Sequence, residues 1–302
     1  MKYEAFLREL RTRCPSLLIA ENESMAKHCS FRIGGVCDAM VFPASADEVE
    51  TVCRLLALEG DAPLIMGNGT DLLVTDAPLH RIVLRLGEAF SAVEQSGVLT
   101  LTAQSGISLT RLALFAADHG LGGLAFAHGI PGTLGGAVIM NAGAYGGEMK
   151  DVLISVVYLG SDLCLHETRE LDLSYRHSRF SDKEDVVLSA SLSLREEAPA
   201  AIRETMRDLL ERRRASQPLD LPSAGSTFKR PANGYAAALI QEAGLKGFSV
   251  GGAQVSEKHA GFVVNRGGAS FDDVLKLMEH IEEEVFRRSG IRLEPEVKII
   301  RG

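Results

Sequence analysis

Two glycine-rich stretches and one row of arginines carry the chemistry that is legible in the residue types. The first stretch is Gly67-Asn68-Gly69-Thr70-Asp71; the second runs from Gly129 through Pro131-Gly132-Thr133 and Gly135-Gly136 to Asn141, Gly143, Tyr145, Gly146 and Gly147. Small residues at this density let backbone N–H groups close on an anion with no Cβ in the way, as a phosphate or diphosphate requires. The common nucleotide signatures are absent. Position 72 is Leu, so the first stretch is not GxGxxG, and no helical pattern follows it; the second contains no GxxxxGK. Turn chemistry accounts for the first stretch as well as anion binding does, but the second has more glycines than one turn needs. Arg203, Arg207 and Arg214 fall within about 40° of one another at helical spacing. With Lys229 and Arg230 they make a candidate phosphate patch, a solvated helix face being the equal alternative.

These residues need elements to hold them. Ser45-Ala46-Asp47-Glu48 has capping-box spacing, with Val49, Val52, Cys53 and Leu56 as the helical stripe behind it. Residues 63–66 read as a short buried strand ending at the first glycine stretch, and 81–86 as another. From Leu99 to Ala103 apolar and polar residues alternate, as in a half-buried strand. Ser108 caps a helix with Leu109, Leu112, Ala113 and Ala116 on one face and Gly120 as its stop. Further strands are expected at 152–159 and 186–194. Beyond Glu196-Glu197-Ala198-Pro199 the chain turns helical, at about 200–214, 235–243 and 271–288, the last opening on Ser270 with Asp273 three residues on. The pattern predicts an α+β protein with mixed sheets in at least two units, with a boundary at Glu196–Pro199.

Composition narrows the classes. Of 302 residues 46% are hydrophobic and 24% charged, which fits a globular chain and excludes a disordered one. The net charge of −8 argues against nucleic acid as a partner. No apolar run approaches the roughly 20 residues of a membrane span. The N-terminus lacks a signal peptide's apolar centre, so the expected location is the cytoplasm. Cys14, Cys29, Cys37, Cys53 and Cys164 are scattered and never spaced CxxC, which suits reduced, idle thiols and no metal site.

The stretch from Gly129 to Glu148 resembles the signature of the UDP-N-acetylenolpyruvoylglucosamine reductases, flavoenzymes of bacterial cell-wall synthesis. Five further segments match that family in order: His28–Gly35 with the first glycine stretch, Tyr175–Phe180, Pro222–Lys229, Gly251–Ser256 and Leu293–Val297. The resemblance implies a two-part FAD-binding region of the vanillyl-alcohol-oxidase/PCMH type, at 1–80 and 81–197, followed by an α+β substrate domain at 198–302 whose last residues return toward the flavin. It implies non-covalent FAD, with NADPH as hydride donor and UDP-N-acetylglucosamine enolpyruvate as the small-molecule substrate. The implied flavin contacts are Arg32, Gly67, Asn68, Gly69, Thr70, Asp71, Gly129, Pro131, Gly132, Thr133, Gly135, Gly136, Asn141, Gly143, Tyr145 and Gly146.

In the implied reaction, hydride reaches the methylene carbon of the enolpyruvyl group while negative charge grows on the neighbouring carbon and its carboxylate. Such chemistry needs cations or hydrogen-bond donors at the forming enolate and a proton for the far carbon. The resemblance assigns Arg176 as enolate stabiliser, Ser226 as proton donor and Glu296 as the third catalytic residue, with Lys229 a candidate to assist Ser226. A guanidinium can grip a carboxylate bidentately, which Lys cannot. Glu294 would share a face with Glu296 in an extended segment; Glu296 is preferred because the family's glutamate immediately precedes that valine. Tyr175, Arg214, Lys229, Arg230 and Gln254 are the implied substrate contacts. Two positions depart from the family: Ser216 stands where many members have Lys, and Arg230 where some have Asn. The compact spacing resembles the shorter subclass, which lacks a tyrosine-bearing loop. A related flavin oxidase and an inactive flavin or nucleotide-sugar module are the competing readings.

Overall fold

The computed structural model describes residues 2–302. They form two compact units, each discontinuous in sequence. Unit 1 is Met1–Glu21, Ala39–Asn68 and Arg81–Arg212; unit 2 is Asn22–Asp38, Gly69–His80 and Arg213–Gly302. Two early segments thus group with the late part of the chain.

Unit 1 has two cores. Helices α1 (Glu4–Arg13) and α2 (Ala46–Leu58) bury Phe6, Leu10, Val49, Val52 and Leu56 with Ile82 and Leu84. The strand Leu64–Met66 runs parallel to Val83–Arg85. At the start of α2, Ser45 Oγ accepts the Glu48 N–H at 3.2 Å. The Glu48 carboxylate takes the N–H of Ala44 at 2.7 Å, one residue earlier than a capping box would place it. The second core lies against a five-stranded antiparallel sheet ordered Leu165–Thr168, Leu153–Leu159, Val186–Ser193, Thr100–Gln104, Val93–Gly97. Helices α3 (Leu109–Asp118) and α4 (Leu134–Ile139) supply Leu112, Ala116, Leu134 and Val138 to it. Helix α5 (Pro199–Ser216) adds Ile202 and Met206.

Unit 2 places α6 (Ala236–Glu242) and α7 (Phe271–Ser289) with an antiparallel sheet of Ser249–Val250, Ala253–Val255 and Val263–Asn265. The expected cap of α7 is present: Ser270 and Asp273 exchange side-chain-to-backbone hydrogen bonds. The α7 stripe of Val274, Leu277, Met278, Ile281 and Val285 is buried, each side chain contributing about 1.5–3 kcal/mol by leaving water. Phe31, Ile33 and Leu73, from the two early segments, enter the same core. Lys298–Ile300 pairs in parallel with Leu72–Val74, residue for residue.

Candidate active site

In unit 1 the two glycine stretches, separate in sequence, touch. A Cβ on Gly67 would run into Thr133 Oγ1, and Asn68 Nδ2 donates to the Pro131 carbonyl at 3.3 Å. The second stretch is pinned to residues 105–109 by main-chain bonds: Gly135 N to Ser105 O at 2.8 Å, Leu134 N to Ile107 O at 2.9 Å, and Leu109 N to Gly132 O at 3.1 Å. Gly67 and Gly135 are thus glycine because protein occupies the Cβ position, Ser105 Cβ lying 2.9 Å from it at Gly135. Gly146 differs, with nothing within 4 Å of its Cβ position. Tyr145 and Gly146, at φ 54° and 87°, form a two-residue hairpin loop between Gly143–Ala144 and Gly147–Glu148. Positive φ at both loop positions matches the twist of the strands. Gly129, Gly136 and Asn141 lie in unit 1 as well, and Arg32, Gly69, Thr70 and Asp71 in unit 2. There Gly69 O accepts the N–H of Ser30 at 3.0 Å and Asp71 O that of Lys298 at 2.9 Å. Thr70 is half-buried, and Arg32 is exposed with φ 57°.

Two buried polar atoms beside the second stretch have no protein partner: Ser105 Oγ, on a residue only 1% exposed, and His128 Nδ1. Burial pushes the His128 pKa down, keeping the ring neutral. Buried groups of this kind ordinarily have a hydrogen-bonding partner, which the protein itself does not give these two.

Arg176 sits at the tip of a tight turn. Ser174 N and His177 O bond at 3.1 Å, and His177 N and Ser174 O at 3.2 Å, leaving Tyr175-Arg176 as the two-residue loop. Arg176 has φ 55°, a left-handed backbone that glycine or asparagine usually fills. Its guanidinium lies 5.1 Å from the centre of the exposed Tyr175 ring. Keeping a long charged residue at such a position costs of order 1–3 kcal/mol.

In unit 2 the segment bearing Ser226 runs antiparallel to the segment bearing Glu296. Lys229 N donates to Glu294 O at 2.8 Å, Glu296 N to Thr227 O at 2.8 Å, and Phe228 bridges to Pro295. Thr227 is buried; its N–H goes to Gly261 O at 2.9 Å and its Oγ1 accepts the Val263 N–H at 3.0 Å. Gly225, at φ 75°, takes the one strained conformation beside Ser226.

Comparison with known proteins follows this geometry. Residues 37–162 match the family model of an FAD binding domain. Residues 217–300 match that of the C-terminal domain of UDP-N-acetylenolpyruvoylglucosamine reductase. The reductase of Caldanaerobacter subterraneus subsp. tengcongensis is 46% identical over 281 residues, 92% of each chain. That of Agathobacter rectalis is 44% identical over an alignment of 313 positions, 98% of each chain. The chain belongs to the UDP-N-acetylenolpyruvoylglucosamine reductase family. The crystal structure of the Thermus caldophilus reductase superposes with a TM-score of 0.80 at 32% identity, covering 94% of this chain and 99% of that one. Alkyldihydroxyacetonephosphate synthase shares the fold over 64% of this chain and 41% of its own length, at a TM-score of 0.51 and 17% identity. The FAD-binding fold expected from the sequence is borne out.

Against the reductase pattern, the expected substrate residues are distributed as follows. The Lys229 ammonium lies 3.6 Å from the exposed Glu294 carboxylate. The Arg230 guanidinium stacks 4.3 Å over the exposed Tyr235 ring. Gln254 Nε2 donates within its own hairpin, to Gly247 O and Ser249 Oγ, both at 3.1 Å. Of the arginine row, Arg203 pairs with Asp118 in unit 1. Arg214 is exposed in unit 2, its carbonyl accepting from Lys258 Nζ. Sequence reading passed over Arg213, buried on the same helix with Nη1 3.4 Å from Gln217 Oε1. It also passed over Ser105 and Ser178. The clue for Ser178 was its place beside Phe180 in the Tyr175–Phe180 motif, both now buried anchors of the Arg176 turn.

Burial pushes the Cys37 thiol up to about 11 and the Cys53 thiol to about 12, so both are inert at neutral pH. Among the described residues no group of three or more His, Cys, Asp or Glu is placed to hold a metal, and no helix is long and apolar enough to cross a membrane.

Proposed function

We propose that this chain reduces UDP-N-acetylglucosamine enolpyruvate to UDP-N-acetylmuramate in the cytoplasm, using NADPH and non-covalently bound FAD. The observation that carries the reading is the antiparallel pairing of 226–229 with 294–297, in a chain 46% identical to a named reductase over 92% of its length. That pairing sets the proposed proton donor and the proposed carboxylate on adjoining segments. Glu296 is half-buried while Glu294 is exposed and paired with Lys229, which favours Glu296 as the functional carboxylate.

When bound, FAD would supply the two-electron chemistry that links NADPH to the substrate's methylene carbon. Gly67, Asn68, Gly129, Pro131, Gly132, Thr133, Gly135, Gly136, Gly143, Tyr145 and Gly146, with Arg32, Gly69, Thr70 and Asp71, would hold it. Ser105 Oγ and His128 Nδ1 join them as the unanswered polar atoms. The Arg176 guanidinium binds the enolpyruvyl carboxylate and opposes the charge that grows there. Ser226 Oγ delivers the proton that completes the lactyl ether. Tyr175, Arg214, Lys229, Arg230 and Gln254 are the remaining substrate contacts. Short connections among α6, the small sheet and α7 support the subclass without the tyrosine-bearing loop.

Anaerobic single-turnover spectroscopy tests the reading. NADPH bleaches the yellow protein, and UDP-N-acetylglucosamine enolpyruvate then restores the oxidised spectrum within seconds. Equal restoration by oxygen alone would identify an oxidase, and a protein that takes up no FAD would end the reading altogether. Glu296→Gln abolishes the substrate-driven return, whereas Glu294→Gln leaves it within about twofold, as expected of an exposed pair. The reverse result moves the role to Glu294.

A further inference from the structure

We infer that Asn141 is a positioning residue for Arg176, tying the turn that carries the arginine to the end of the glycine-rich stretch. The inference rests on the proposed role of Arg176 and assigns Asn141 work other than flavin contact. Asn141 follows α4 with φ 39° and is only 2% exposed. Its side chain is fully engaged within unit 1. Nδ2 donates to Glu148 Oε2 at 2.7 Å and to Ser174 O at 3.0 Å, while Oδ1 accepts the Lys150 N–H at 2.8 Å. A side chain so committed has no amide hydrogen left for a cofactor.

The bond to Ser174 O is the informative one. That carbonyl also accepts the His177 N–H that closes the Tyr175-Arg176 turn, so Asn141 fills its second lone pair. The other foot of the turn is fastened to the same helix end. Ser178, fully buried, donates from Oγ to Ile139 O at 2.9 Å, and Ser181 Oγ donates to the same carbonyl at 3.2 Å. Two residues of one helix terminus, Ile139 and Asn141, thereby hold both sides of a strained two-residue loop. Backbone geometry alone does not explain the asparagine, because glycine fits a left-handed helix end at least as well. The side-chain bonds do.

Asn141→Gly keeps the left-handed backbone and deletes those bonds. The expected result is unchanged FAD content and NADPH-driven flavin reduction within twofold, with substrate-driven flavin reoxidation slowed about tenfold, as misplacing a reacting group by a fraction of an ångström would do. In an Arg176→Lys background the same change should cost less than twofold more, because Asn141 acts through that arginine. Loss of FAD, equal slowing of both half-reactions, or an undiminished penalty in the Arg176→Lys background overturns the inference. If Arg176→Lys by itself reoxidises normally, the role of Arg176 fails instead, and any remaining Asn141→Gly defect belongs to another site. Should Asn141→Gly not fold, Ser178→Ala carries the test, since Ser181 still satisfies Ile139 O; it must slow only the reoxidation step, and an unchanged rate counts against the inference.

Discussion

The turn that presents Arg176 and the segment that presents Ser226 solve one problem by different means. Arg176 stands on a two-residue loop at φ 55°, held by the side chains of Asn141, Ser178 and Ser181. Ser226 stands next to a ladder of main-chain bonds, with the unusual backbone delegated to the adjacent Gly225. The first arrangement writes position into side chains, so one substitution can move the guanidinium without unfolding anything. The second writes position into the backbone, where substitutions beside Ser226 should tell first on stability.

Three substitutions press on that contrast, beginning with the largest effect. Ser226→Ala should slow substrate-driven reoxidation by about 10²–10⁴-fold, the range for removing a general acid, while NADPH still bleaches the flavin at the native rate. Stopped-flow traces of the two half-reactions decide it, and slowing of both would mean that the segment had moved. Thr227→Val comes next. It strands the buried Val263 N–H, so urea titration should show a loss of about 1–3 kcal/mol with turnover of the folded protein within twofold. A stable but slow Thr227→Val protein would erase the distinction between the regions. Asp273→Ala is the mildest, costing about 1 kcal/mol through the lost cap of α7. Hydrogen bonds from Ser270 N–H and then Gly252 N–H hold the Asp273 carboxyl below the usual carboxylate range. Its stabilising contribution is therefore complete above the ordinary carboxylate pKa of about 3.9. It falls away as pH drops through the lowered value. Thermal melts of native and variant protein should converge as the medium becomes acidic, and a constant gap would locate the cap's value elsewhere.

The sequence carried the helix starts at Ser45, Ser108 and Ser270 because a cap and its stripe are local. It carried the strands because alternation is local too. The reason for the glycines was harder to read. Their density pointed to a bound anion, yet Gly67 and Gly135 answer first to Thr133 and Ser105, partners that no spacing rule links to them. The hydroxyls of Ser105 and Ser178 were invisible for the same cause, since their surroundings arise from segments distant in the chain. Arg203 makes the same point from the other side: helical spacing set its place on the helix, but only the fold showed Asp118 beside it. The order of units was also hidden, because the pairing of Lys298–Ile300 with Leu72–Val74 joins residues from nearly opposite ends of the chain.

That pairing sets a timetable for folding. Phe31, Ile33 and Leu73 are made early, but the core they enter is built almost entirely from residues after Arg213. On a ribosome adding about 5–20 residues per second, these apolar side chains wait through most of synthesis with no core to enter. Closing so long a loop is slow, and an unpaired Leu72–Val74 strand is meanwhile a template for neighbouring chains. The yield of folded protein should therefore depend on how quickly residues 298–300 leave the exit tunnel, making that strand a kinetic gatekeeper as well as a structural one.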